Sequence, residues 1–470
     1  LKTYKIYAAG KFVTSKKVHE VKNPYDGSLV AKTWLADKTI LNNAIEKALS
    51  LQATLKALTS LQKFEILLQI SQELNVNKKY LAEILALESA KPFASALAEI
   101  ERSVQTFLIA AEESKRLPKD YMSLDWTSNG AGKEGIVNYF PIGLVAGIAP
   151  FNFPMNLAVH KLAPAIATGC PIILKPASST PLSCLELAKI IDKTALPKGA
   201  VSILPMDRET GNLLVTDERF KLLSFTGSPQ IGWKMKAQSG KKKVVLELGG
   251  NAATIIAETA KLEDVMPKAL MGAFSYSGQI CIHAQRFIVH ESHYKAFTTA
   301  LKNGALKLKY GNPVHEKTEI SNMIDEENAL RVEQWIKEAV KQGAKLVCGG
   351  KRKGSYMEPT ILTNCDASMK VYAEEAFGPV VCINSYQTIS EAIDLVNDTK
   401  FGLQCGVFTD SIAELDQCFK RIDTGGIIHN HVPTLRFDQM PYGGVKESGL
   451  GREGVKYAIM DMMEAKVLVK

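Results

Sequence analysis

Five short apolar runs decide the fold of this chain. They are Gly143-Leu144-Val145-Ala146-Gly147-Ile148, Pro171-Ile172-Ile173-Leu174-Lys175, Ala200-Val201-Ser202-Ile203-Leu204, Lys221-Leu222-Leu223-Ser224-Phe225 and Lys243-Val244-Val245-Leu246-Glu247. Each is rich in the aliphatic residues that fill a strand buried on both faces. Helix-like stretches such as Leu185 to Thr194 lie between them. That alternation predicts an α/β fold, a parallel sheet with helices on both sides.

Working outward, residues 40–115 keep a helical period, with Phe64, Leu67, Leu68, Ser71 and Leu74 on one amphipathic face. A second α/β stretch runs from about 250 to 440, with strands expected at Ala253–Ala257, Arg286–His290, Pro379–Ser385 and Gly426–Asn430. Between the helical region and the first run, Met122 to Phe140 reads as an extended arm with a turn at Ser128-Asn129-Gly130. The chain closes on another extended run, Ala465-Lys466-Val467-Leu468-Val469. Projecting β segments have edges that need a partner, and a second subunit would provide one.

Composition narrows the classes. At 470 residues the chain is too long for one ordinary core, and 46% hydrophobic with 23% charged residues is a globular balance. No apolar run has the length of a membrane helix, and the first residues show no signal-peptide pattern. The eight cysteines are scattered without C-x-x-C spacing, which excludes a disulfide framework or zinc site and points to a reducing, cytoplasmic compartment. A net charge of +8 is modest for this length, and no aromatic-basic stripe marks a nucleic-acid surface.

The chemistry lies in three motifs. Cys281 ends Gly278-Gln279-Ile280-Cys281, where the glycine suits a tight backbone approach and the thiol is a candidate nucleophile. Glu247 opens onto Leu248-Gly249-Gly250-Asn251; burial between Leu246 and Leu248 would raise its pKa toward that of a working base. Asn152, within Pro150-Phe151-Asn152-Phe153-Pro154, offers an amide to an oxyanion, or else only caps a turn. There is no G-x-G-x-x-G. Instead Phe225-Thr226-Gly227-Ser228-Pro229 follows a strand and opens a helix, with Ser228 at the N-cap and Pro229 at N1, a ready site for a pyrophosphate.

These motifs, with Asn23-Pro24-Tyr25 at one end and Gly443-Gly444-Val445-Lys446-Glu447-Ser448-Gly449 at the other, resemble the aldehyde dehydrogenase superfamily over nearly the whole chain. The resemblance implies a Rossmann-type cofactor domain (1–117 and 140–248), an α/β catalytic domain (249–440) and a β-arm oligomerisation element (118–139 and 457–470). It also implies a homodimer or homotetramer. In such an enzyme Cys281 attacks an aldehyde, Asn152 and the Cys281 N–H hold the oxyanion, and Glu247 activates water against the thioester. Relatives that pass the acyl group to coenzyme A generally lack this glutamate, so the free acid is the expected product. A catalytically silent protein of the same fold is a distant alternative, since no motif is damaged.

By the same resemblance Lys175 contacts the adenosine ribose, Gly227 and Ser228 form the cofactor turn, and Glu375 and Phe377 hold the nicotinamide ribose and ring. Ser178 stands where NAD-specific members commonly carry a glutamate. It neither repels a 2′-phosphate nor demands a bare ribose, so NADP, or both NADP and NAD, is expected. No metal is implied. His283 departs from the small residue usual two places after the nucleophile, and Glu464 is taken as an ordinary helix-end carboxylate.

For substrate, the run from Phe437 to Met460 resembles lactaldehyde dehydrogenases of archaeal type, so a small hydroxyaldehyde is the first expectation. Arg102 and Arg436 fall near phosphate-binding positions of enzymes that oxidise glyceraldehyde 3-phosphate, which makes an anionic aldehyde the alternative. Phe153 and Ile280 stand where those enzymes often have Tyr and Arg. Either arginine could instead sit in a surface ion pair.

Overall fold

The structure, a computed structural model, describes residues 2–470. All five apolar runs are strands: Val145–Ile148, Ile172–Lys175, Val201–Ile203, Leu222–Thr226 and Lys243–Glu247. They pair in parallel in the spatial order Val201–Ile203, Ile172–Lys175, Val145–Ile148, Leu222–Thr226, Lys243–Glu247. The chain winds to one side of Val145–Ile148 and then returns to its other side. Strand order therefore reverses between Val145–Ile148 and Leu222–Thr226, and the loops leaving their carboxyl ends diverge. Open α/β sheets hold ligands in such a crevice.

Three short strands extend this sheet: Ile6–Ala8 and Lys11–Val13 at one edge, and Gly449–Leu450 at the other, all antiparallel to their neighbours. At two or three residues each, they are too short to show a period in the sequence. The helices expected over 40–115 include Ser60–Val76, opened by a Thr59–Gln62 capping box, and Phe93–Ser114. Leu67, Ser71 and Leu74 are buried and Phe64 and Leu68 half-buried. These helices pack on Pro154–Thr168, which is buried along its full length.

The second sheet runs Lys345–Cys348, Thr360–Thr363, Val380–Tyr386, Arg286–His290, Ala253–Ile256, Gln404–Phe408, Gly426–His429, parallel except at its first strand. The four expected strands are present. Lys345–Cys348, Thr360–Thr363 and Gln404–Phe408 are further strands; Gln404 and Gly406 interrupt the apolar run that would mark the last.

The arm and tail find their first partner in each other. Glu134–Pro141 is the middle strand of a three-stranded sheet, between Lys119–Ser123 and Met463–Val469. The two outer strands keep open edges, with Tyr121, Met122, Val467, Leu468 and Val469 exposed. Two details differ from expectation. Residues 457–461, grouped with the tail, belong to the helix Val455–Asp461, whose Val455 and Ile459 join the main core. Glu464 lies in a strand and not at a helix end, paired with Lys243 at 3.0 Å. Among the described residues no helix is long and apolar enough to cross a membrane.

Candidate active site

Glu247 is the last residue of its strand, and Gly249-Gly250-Asn251 carries the chain directly into Ala253–Ile256 of the other sheet. The carboxyl ends of the first sheet's strands therefore face the amino ends of the second's. A cleft of about 740 Å³ lies between them, lined from one side by Asn152, Gly227, Ser228 and Glu247, and from the other by Cys281, Glu375 and Phe377. Seven positions expected to do chemistry thus meet in one place.

Cys281 precedes the strand Arg286–His290. Tyr276 and Ser277 just before it hold left-handed backbones (φ 48° and 52°), and Gly278 has φ 68°. A side chain at Gly278 would come within 2.1 Å of the Gly378 carbonyl, so this close approach requires glycine. The thiol is packed among Ile280, Ile282, Leu403, Tyr442 and Phe153. Burial pushes it up to about 11, opposed first by the Tyr442 hydroxyl, 3.0 Å from Sγ, and then by the charge of Arg436. Asn152 does not cap a turn: its amide donates to the Gln279 carbonyl at 2.9 Å, which holds the side chain beside the Cys281 loop. One amide N–H is used and the other is left.

Glu247 is buried, and neither carboxylate oxygen has a hydrogen-bond partner. Its pKa is well above the ordinary carboxylate range, first from burial and then from the charge of Glu453, while Arg436 and Lys161 pull it back. At Gly443 a Cβ would press on Glu247 Oε1 at 3.0 Å, so that glycine leaves the carboxyl its space.

The surrounding charges form a chain that the sequence did not reveal. Arg102 pairs with Asp438 at 2.6 Å, and His160 Nε2 donates to the same oxygen at 2.8 Å. Arg436 pairs with Glu453 at 3.0 Å; Glu453 pairs with Lys161 at 3.2 Å; Lys161 donates to Thr226 at 2.7 Å. Arg436 is only 5% exposed, which rules out a surface ion pair, while Arg102 is 30% exposed at the rim. Both line a second cavity of about 1,090 Å³ with Gln105, Phe437 and Gln439. The Arg436 guanidinium lies 3.7 Å from the ring centre of Tyr442, so one phenol ring separates it from the sulfur. The Nε of each arginine is buried without an acceptor. Phe153 lies outside both cavities, edge-on to Tyr276 and under the Lys91 ammonium at 3.6 Å.

On the cofactor side, Ser228 is the N-cap and Pro229 the first residue of the helix Pro229–Gln238, and the serine makes no capping bond. The first backbone N–H groups there are free to meet an anion. The Glu375 carboxylate accepts from Gly250 N–H at 3.1 Å, and burial pushes it up to about 7. A side chain at Gly249 would sit 2.0 Å from that carboxylate, so the glycine makes room for it. Phe377 meets Phe151 edge to face at 5.8 Å. Lys175 and Ser178 lie on the same edge of the sheet but outside the cleft's lining. Lys175 packs over Gly211, and the Ser178 carbonyl accepts from His19 at 2.7 Å. His283 donates to the Ala273 carbonyl at 2.8 Å and points away from the cleft, with burial lowering its pKa to about 4.

A two-sheet fold with a thiol, a carboxylate and an amide gathered in one cleft at a topological switch point is the arrangement of an enzyme's ligand site. Comparison with known proteins identifies it further. The sequence profile of the aldehyde dehydrogenase family matches residues 12–468, and the chain belongs to that family. It is 40% identical to the 3-sulfolactaldehyde dehydrogenase of Priestia aryabhattai, over all of this chain and 98% of that one. Aldehyde dehydrogenase 21 of Physcomitrella patens, solved with its reaction product succinate, superposes with a TM-score of 0.98 at 44% identity, covering 100% and 98% of the two chains. The glyceraldehyde-3-phosphate dehydrogenase GapN of Methanocaldococcus jannaschii, solved with NADP, gives 0.92 at 36% identity over 96% and 98%. The protein is an NAD(P)-dependent aldehyde dehydrogenase of α/β architecture.

Proposed function

We propose that this enzyme oxidises a short aldehyde carrying an anionic group at its far end to the carboxylic acid, without coenzyme A. The observation that carries this is Arg436: a buried guanidinium, one phenol ring from the nucleophilic sulfur, with an Nε–H that has no acceptor. A buried donor left unpaired is costly unless a ligand completes it. Arg102, paired with Asp438, adds a second cation at the rim. The relatives' names agree with this class, one acting on a sulfonated hydroxyaldehyde and another solved with a dicarboxylate. The hydroxyaldehyde and the anionic aldehyde expected from sequence are thus compatible as one molecule.

In this reading the Cys281 sulfur attacks the aldehyde carbon, and the carbonyl π pair moves onto oxygen between the Asn152 amide and the Cys281 N–H. Oxidation of that carbon to a thioester on the Cys281 sulfur would need the hydride acceptor that bound NAD(P) would supply. Glu247, enclosed and without a hydrogen bond, takes a proton from water as the water attacks the thioester carbon, and the thiolate departs. Lys161 and Glu453 hold the charge around that proton. Gly227 and Ser228 would receive the pyrophosphate, Lys175 and Ser178 the adenosine ribose, Glu375 and Phe377 the nicotinamide ribose and ring. The free helix N-terminus and the room that Gly249 leaves for Glu375 fit that group. Ser178 supports use of NADP as well as NAD. The sheet of residues 140–248 with the N-terminal region forms the cofactor domain, 249–440 the catalytic domain. The open edges of Lys119–Ser123 and Met463–Val469 join copies into a homo-oligomer.

The test is reduced-nicotinamide formation without coenzyme A, comparing lactaldehyde with 3-sulfolactaldehyde and glyceraldehyde 3-phosphate, with NAD and NADP. A kcat/KM at least about tenfold higher for the anionic members is expected from one charge-assisted hydrogen bond. Equal values would remove Arg436 from substrate binding.

A further inference from the structure

Tyr442 was not among the residues singled out from sequence, and it touches the reacting atom. It is almost wholly buried, and among the described residues its hydroxyl meets one partner, Cys281 Sγ at 3.0 Å. The ring packs with Ile280, Ile282 and Leu403, an apolar setting that phenylalanine would fill as well. Packing therefore does not account for the hydroxyl, whose burial costs free energy unless it is bonded. The backbone of Tyr442 is held on both sides by Glu453: the Tyr442 N–H donates to the Glu453 carbonyl at 2.9 Å, and the Tyr442 carbonyl accepts from the Glu453 N–H at 2.5 Å, which fixes the ring's position.

While the sulfur keeps its proton, either atom can donate. A thiolate has no proton, so once it forms only the phenol can donate. We propose that Tyr442 is a catalytic residue: its O–H donates to the Cys281 thiolate and sets how much of the nucleophile is ionised at working pH. The other charged groups facing the sulfur are Arg436, which favours the thiolate, and Glu375 and Glu247, which oppose it. Those facing the phenol are Arg436, Glu247 and Cys281 itself. Arg436 reaches the sulfur across the tyrosine ring, so the phenol is the nearest stabilising group. Ionisation sends the thiol proton to solvent. The sulfur lone pair then forms the C–S bond, the carbonyl π pair moves to oxygen, and Tyr442 keeps its proton throughout.

The inference rests on Cys281 being the nucleophile, and its test needs no aldehyde. In the full-length protein and its Tyr442→Phe variant, iodoacetamide labelling of Cys281 is followed by peptide mass spectrometry across about pH 6 to 11. Losing a hydrogen bond to a charged group should shift the profile up by about one to two pH units, read as labelling about 10- to 100-fold slower at each pH below the midpoint, with NADP binding by fluorescence retained. Replacing Tyr442 with 3-fluorotyrosine keeps the shape and strengthens the donor, and should lower the midpoint. Unshifted profiles for both variants overturn the proposal while leaving the dehydrogenase reading intact. Labelling that falls on cysteines other than Cys281 overturns both.

Discussion

Arg436 and Glu453 form an ion pair at 3.0 Å with both side chains almost fully enclosed. Two charges are seldom taken out of water for stability alone, because the desolvation cost consumes most of the Coulombic gain. Here the pair stands beside both Cys281 and Glu247. Its positive member faces the sulfur through Tyr442, and its negative member faces Glu247.

Arg436→Met should lower kcat/KM for an anionic aldehyde by about 10- to 150-fold, the worth of a charge-assisted hydrogen bond. A neutral aldehyde of equal length should lose far less, and Arg102→Met, at the partly exposed rim, should have a smaller effect on both. Steady-state kinetics with the two substrates decide it. Equal losses would mean that Arg436 acts only through the fold.

Glu247→Gln separates the two halves of the reaction. Rapid mixing should show a burst of reduced nicotinamide near one equivalent per site, followed by steady turnover about 10²- to 10⁴-fold slower. Loss of the burst together with the steady rate would assign Glu247 to the first half instead.

The charge of Glu453 raises the pKa of Glu247, and Glu453→Gln removes it. A general base works when ionised, so activity climbs as pH rises through that pKa. The variant also leaves Arg436 and Lys161 uncompensated, which lowers the pKa further. The acid limb of the pH–rate profile for deacylation should therefore move to lower pH. A limb that stays in place, or moves up, would show that the two carboxylates are not electrostatically linked.

Ser178→Glu should reduce kcat/KM with NADP by at least about tenfold and spare NAD, through repulsion of the 2′-phosphate. Parallel losses with both cofactors would place position 178 away from the ribose.

Val467 and Val469 lie on one face of the tail strand, each 53% exposed. Converting both to lysine should turn the assembled enzyme into monomers by light scattering, with the charges blocking an edge that otherwise pairs. A parent protein that is already monomeric would remove the arm and tail from any assembly role.

Much of this protein was written locally. The five apolar runs specified a parallel sheet because strand burial is read from consecutive residues, and the cofactor turn, the Cys281 loop and the Glu247 strand end are each contiguous motifs. The two- and three-residue strands at the sheet edges escaped, since pairing with a preformed neighbour and not their own pattern makes them strands. Among the groups that meet in the cleft, sequence named Cys281, Glu247 and Asn152. It listed Arg102 and Arg436 without saying whether they were buried, and it passed over His160, Lys161, Asp438, Tyr442 and Glu453. Those roles depend on which distant residues share a low-dielectric space. Tyr442 meets Cys281 across 161 positions of chain, and Arg102 meets Asp438 across 336. A local pattern determines what a segment becomes; only tertiary packing decides which charges lose their water together, and that loss shifts the Cys281 thiol, the Glu247 carboxyl and the Arg436 guanidinium from their ordinary behaviour.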